Sequence, residues 1–185
     1  MMIWSLFGCI VLLGCTLLVH GDEDKKKGDM TKYLKRTGEK YLAEIAQKEG
    51  IHKLKSGMLI EILKESDLPD AKSPTKFDSC DVTYSGTLKD GTKFDAGTTS
   101  FSPSQVIKGW TEAMQLMVEG DKWKLYIPYD LAYGERGSPP KIPGYSPLVF
   151  EIEIHKVKST GGKSKDEARK LFQDSLASST STSDL

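Results

Sequence analysis

The sequence predicts an α+β roll, in which one curved antiparallel sheet wraps around a short α-helix, with an amphipathic helix before it and a short helix after it. Three observations predict it. From Met58 onward the apolar residues recur with a period of two, in runs rich in Val, Ile, Tyr and Phe. Gly, Pro and Asp cluster between these runs. Only one stretch among them, around Trp110, has apolar residues at helical spacing. A chain of 185 residues, 38% hydrophobic and 28% charged, has the size and composition of one globular domain with appendages.

From the N-terminus, Ile3 to Val19 carry no charged side chain, and Val19 and Gly21 supply the small residues that a signal peptidase prefers. Residues 1–21 therefore read as a secretory signal peptide. An uncleaved anchor and a lipid-attachment box at Leu12-Leu13-Gly14-Cys15 are the alternatives. The expected location is secreted, periplasmic or cell-surface, without stable membrane insertion of the mature chain. Cleavage after Gly21 would remove Cys9 and Cys15 and leave Cys80 alone, so no internal disulfide is expected. There is no Asn, hence no N-linked glycan.

Residues 22–57 read as a linker and an amphipathic helix over Met30–Glu49, with Leu34, Tyr41, Leu42 and Ile45 on one face and Gly50 as a stop. This helix docks on the domain or forms a stalk. Gly38 interrupts the apolar seam, so a monomer is expected, with a dimer through this helix as the alternative. Residues 58–158 hold the main domain. "MLIEILKES", "DVTYSG", "WKLYIP" and "LVFEIEIHKV" predict roughly four or five antiparallel strands, and Asp90-Gly91 predicts a tight hairpin turn. Gly109–Met117 is the enclosed helix, with Trp110, Ala113, Met114 and Met117 on one face and Gly120 as its stop. In residues 159–185, Ser164 followed by Glu167 predicts a capping box for a helix through Leu176, ahead of a disordered Ser/Thr-rich tail.

Several chemistries are excluded. Lys plus Arg equals Asp plus Glu at 26 each, so no net field recruits nucleic acid or an anionic membrane. Three histidines without an HExxH or CxxC pattern make a His- or Cys-based metal site improbable, and no cofactor is expected. "GGKS" lacks the Gly that a phosphate-binding loop needs, because Val157 stands there. Ser85 in "TYSGT" lacks the glycine of a nucleophile elbow, and Cys80 reads as a small buried side chain. What remains is a supply of aromatics near turns and strand ends, together with the pair Phe94-Asp95. Such a set suits an apolar cup with a few polar points, the usual make-up of a small-ligand pocket.

The stretches "VTYSGTLKDGTKFDAG", "QVIKGWTEAMQLMVEGDKWKLYIPYDLAYGERG" and "IPGYSPLVFEIEIHKV" closely resemble the FKBP family of macrolide-binding peptidyl-prolyl cis/trans isomerases, through about Met58 to Val157. With the preceding helix and signal, the macrophage infectivity potentiator branch is the most similar. The resemblance implies an FKBP-like fold, Xaa-Pro-containing polypeptides as substrates and macrolides as inhibitors. It also implies a pocket with Tyr84, Asp95 and Tyr133 in catalytic roles, and with Phe94, Val106, Ile107, Trp110, Ile142 and Phe150 binding substrate or macrolide. Trp110 is then the floor. The segment from Asp95 to Val106 reads as a shortened loop with Phe101 as a candidate wall, and Ser138 stands where some relatives carry His. A second reading, from a different class, is a proline-loop-binding or chaperone module in which turnover is incidental.

Overall fold

The computed structural model describes residues 18–158 and 161–177. Most of the expected signal peptide and the Ser/Thr-rich tail lie outside the described residues. Eight strands occur among those described: β1 (Ile51–Lys53), β2 (Leu59–Lys64), β3 (Lys72–Ser73), β4 (Ser79–Leu88), β5 (Lys93–Phe101), β6 (Lys122–Ile127), β7 (Leu148–Lys158) and β8 (Lys163–Ser164). The helices are α1 (Leu18–Ile45), α2 (Lys108–Met114) and α3 (Lys165–Ser175). Six strands form one antiparallel sheet in the order β1-β2-β6-β7-β4-β5, and β3 pairs with β8.

Strand alternation gives the sheet two apolar faces. Ile60, Trp123, Leu125, Ile127, Phe150, Ile152 and Ile154 point to one side and form the main core with Trp110, Ala113 and Met114 of α2. Leu59, Tyr126 and Val149 point to the other side, where Ile45, Tyr41 and Leu42 of α1 cover them. Burying each such large side chain stabilises the fold by about 1.5–3 kcal/mol relative to exposure. The sheet is therefore a middle layer, with α2 on its concave side and α1 on its back.

The structure departs from the sequence expectations in four places. Helix α1 begins by Leu18 rather than Met30. Its early Lys and Glu residues favour helix, and Gly21 and Gly28 each cost only about 1 kcal/mol. It ends at Ile45, where bonds from Gln47 to Glu44 and from Lys48 to Ile45 tighten the chain before Gly50, at φ +78°. The fold has more strands than expected because β1 of the main sheet and the separate β3–β8 pair are two or three residues long, too short to establish a period. The segment after Asp95 is mostly strand, β5, followed by a 3₁₀ turn over Pro103–Gln105; its exposed "GTTS" offers no apolar alternation. Helix α2 closes at Met114, and Met117 is buried in the turn that follows.

Other expectations hold. The β4–β5 hairpin turns at Gly91, φ +86°, with the Thr92 N–H donating to Asp90 Oδ1 at 2.9 Å. The Ser164–Glu167 capping box opens α3. Cys80 is a free, fully buried thiol.

Candidate active site

The concave face of the sheet leaves one cup uncovered where β4, β5, β7 and the start of α2 meet. Its walls are Tyr84, Asp95, Phe101, Gln105, Val106, Ile107, Trp110, Tyr133 and Phe150, around a volume of about 380 Å³. Each residue arrives from a different constraint. Tyr84 and Phe150 project from adjacent strands whose register pairs Tyr84 with Ile152 and Gly86 with Phe150. Ile107 is the N-cap of α2, in extended geometry (φ −59°, ψ 154°), and Trp110 lies in the first turn. Tyr133 comes from the connection between β6 and β7, and is 42% exposed at the rim.

Trp110 is 3% exposed and three rings meet it edge-on: Tyr84 at 5.3 Å and 78°, Phe101 at 5.8 Å and 84°, and Phe150 at 5.1 Å and 86°. Edge-to-face pairs of this kind contribute about 0.5–1.5 kcal/mol each beyond burial, so the base of the cup is held in shape without a ligand. Two glycines make room for it. A Cβ on Gly86 would lie 2.6 Å from Phe150 Cε1 and 2.7 Å from Phe94 Cζ, and one on Gly109 would lie 2.6 Å from Ile127 Cγ2. The close approach that these residues allow seats the rings of the cup and packs α2 onto β6.

Polar groups gather at the opening. The Tyr84 hydroxyl donates to Asp95 Oδ2 at 3.0 Å. Burial, then the hydrogen bond to Asp95, pushes the Tyr84 phenol above the usual tyrosine range, so it stays protonated through neutral and mildly alkaline pH. The Ile107 N–H, one of the donors left open at a helix start, forms no hydrogen bond with another described residue. Trp110 Nε1 is buried without a partner among the described residues. This is an apolar basin bordered by one carboxylate, two phenols and a backbone donor.

Of the residues expected from sequence, Tyr84, Asp95, Phe101, Val106, Ile107, Trp110, Tyr133 and Phe150 come together here. Phe94 and Ile142 stand one layer back. Phe94 is buried edge-on against Phe150 at 5.4 Å, and Ile142 is 4% exposed in the main core, paired with Ser138 by two backbone hydrogen bonds. Lys141 Nζ donates to the Phe94 carbonyl at 3.1 Å and ties that loop to β5. Gln105 is the wall that sequence reasoning missed; a polar residue in a short turn carries no periodic signal.

Fold and cup together make an apolar basin on a sheet-and-helix roll, and the relatives of the chain give its class. Residues 70–155 match the family described as FKBP-type peptidyl-prolyl cis-trans isomerase, and the chain belongs to that family. It is similar to the macrophage infectivity potentiator of Trypanosoma cruzi, at 39% identity over 173 residues that cover 89% of this chain and 87% of that one. The outer membrane protein MIP of Legionella longbeachae is 42% identical over 142 residues, 74% of this chain and 55% of that one. A peptidyl-prolyl cis-trans isomerase from Pseudomonas syringae pv. tomato, solved by crystallography, has a TM-score of 0.65 and 36% identity, covering 70% of this chain and 96% of that one. The chain is thus Mip-like, and its enzyme class is peptidyl-prolyl cis-trans isomerase.

Proposed function

We propose that this isomerase turns Xaa-Pro bonds by seating the proline ring on Trp110 and holding the preceding amide, twisted, at the mouth of the cup. Rotation about an amide breaks its resonance, which sets a barrier of about 18–20 kcal/mol. The planar amide is the more polar state, with charge separated between oxygen and nitrogen. Removing water from it therefore favours the twisted form, and no nucleophile or metal is required. Tyr84, Phe101, Val106, Ile107, Trp110 and Phe150 supply that dry wall. The Ile107 N–H and the Tyr133 hydroxyl donate to carbonyls of the bound chain. Asp95 fixes Tyr84 and faces the carbonyl carbon as it loses conjugation. Lowering the barrier by roughly 7 kcal/mol gives about five powers of ten in rate.

One observation carries this reading: a buried indole with three rings set edge-on to it, below a Tyr-Asp hydrogen bond at the opening. The same basin suits the apolar ring of an FKBP-binding macrolide. We further propose that the chain is exported. The charge-free run Ile3 to Val19 supports it, as does the outer-membrane designation of the Legionella relative. No helix among the described residues is long and apolar enough to cross a membrane. A protease-free isomerase assay on an Xaa-Pro peptide, with and without a macrolide, tests the proposal. Acceleration abolished by the macrolide is expected; acceleration that the macrolide leaves intact would place the chemistry outside this cup.

A further inference from the structure

A second groove opens beside the cup and shares Val106 with it as a common wall. Besides Val106, its lining includes Lys76, Ser104, Lys108, Glu112 and Gln115, around about 510 Å³. The groove is held in shape by its own backbone and side-chain bonds. The Ser104 N–H donates to the Lys76 carbonyl at 2.9 Å, which fixes the loop before β4 against the 3₁₀ turn, and the Thr111 hydroxyl donates to the Pro103 carbonyl at 2.5 Å.

Its unused chemistry is mostly that of a donor. Gln115 already donates to the Thr111 carbonyl at 2.7 Å, but the exposed Lys76 and Lys108 ammoniums have no carboxylate within 4.0 Å among the described residues. Lys76 Nζ lies instead 5.9 Å over the ring of Phe77, which is 77% exposed. Glu112 stands one turn beyond Lys108 on α2 without forming an ion pair with it. Two ammoniums and one carboxylate leave the groove with an excess of positive charge.

We propose that this groove is a subsite for an acidic side chain of the same polypeptide whose proline occupies the cup. The two cavities share the Val106 wall, so an extended chain crossing Val106 brings a residue that flanks the proline into the groove. Lys76 and Lys108 meet its carboxylate. Substrate preference is then set outside the aromatic pocket, by charge flanking the proline. The inference rests on the isomerase reading of the cup.

The test uses the full chain and a set of Xaa-Pro peptides carrying Glu at one flanking position at a time, each matched with its Gln counterpart. For exposed charge pairs the expected preference in kcat/KM is about three- to fivefold for Glu over Gln at low ionic strength, at one or more positions. It should shrink sharply in about 0.5 M salt, where charges beyond a few ångströms are screened. Lys76→Glu/Lys108→Glu should abolish or invert the preference, with kcat/KM for the Gln peptide changing less than about twofold. Equal turnover of every Glu and Gln pair, or a preference that survives the double substitution, would overturn the proposal. Absence of turnover for both peptides would contradict the isomerase reading instead. In that case the Glu-to-Gln ratio of peptide Kd, read from Trp fluorescence, decides the groove by the same criterion.

Discussion

At the scale of single residues, Trp110 has two duties that its neighbours make inseparable. It belongs to the buried core and it is the floor of the cup. Trp110→Leu is expected to weaken macrolide binding and also to cost about 2 kcal/mol of stability, because three ring contacts go with the indole. Calorimetry and a binding titration on the same preparation measure both effects. Asp95 and Tyr133 sit at the exposed rim, so Asp95→Ala and Tyr133→Phe should each lower kcat/KM by about tenfold while leaving Tm within about 2 °C. A parallel fall of Tm and activity would give these residues a structural role only. The aromatics of the cup were legible in the sequence because their types and spacing matched a known pattern. Which rings face the cavity and which stand behind it was not, since Phe94 and Phe150 look alike until the registers of β4 with β5 and with β7 set their depth.

At the scale of elements, the helices outside the matched segment contribute to the core itself. Arg169 of α3 donates to both oxygens of Asp121, at 3.1 Å and 2.8 Å, and the fully buried carboxylate also accepts from the Ser66 and Val118 backbone N–H groups. Phe172 packs against Trp123 at 5.2 Å, and Leu176 bridges to Leu54. Arg169→Ala leaves half of that hydrogen bonding undone around a buried charge, and a loss of about 3 kcal/mol is expected in a urea titration. A change below about 0.5 kcal/mol would make α3 a loosely held appendage. Gly38, which as sequence only interrupted an apolar seam, has a steric reason in the structure. A Cβ there would stand 3.0 Å from Pro147 Cδ and 3.3 Å from the Tyr145 carbonyl. The amphipathic face of α1 was readable from Leu34, Tyr41, Leu42 and Ile45. Its docking on the back of the sheet was not, because the receiving residues Leu59, Tyr126 and Val149 are dispersed over three strands.

At the scale of the whole molecule, the main core on the α2 side of the sheet keeps Cys80 out of water, and burial together with Asp78, Asp81 and Glu119 pushes its thiol up to about 12 from 9.0. The folded state thus favours the neutral thiol. Its contribution to stability is complete below about pH 9 and is lost as pH rises toward the folded value. Urea midpoints should fall from about pH 8 to 10.5, and fall less steeply in Cys80→Ala; equal slopes would remove Cys80 from the alkaline response. The overall roll was legible from period-two runs around one helix, whereas strands of two or three residues were not. The central claim is that a preformed cup turns the amide by desolvation, without moving a proton. The direct measurement is kcat/KM for one Xaa-Pro peptide, followed by NMR exchange in H₂O and D₂O across about pH 6 to 9. With the Tyr84 phenol held protonated throughout, a flat profile and a solvent isotope ratio near unity are predicted. A bell-shaped profile, or a ratio above about two, would put general acid–base chemistry in the rate-limiting step and contradict the account.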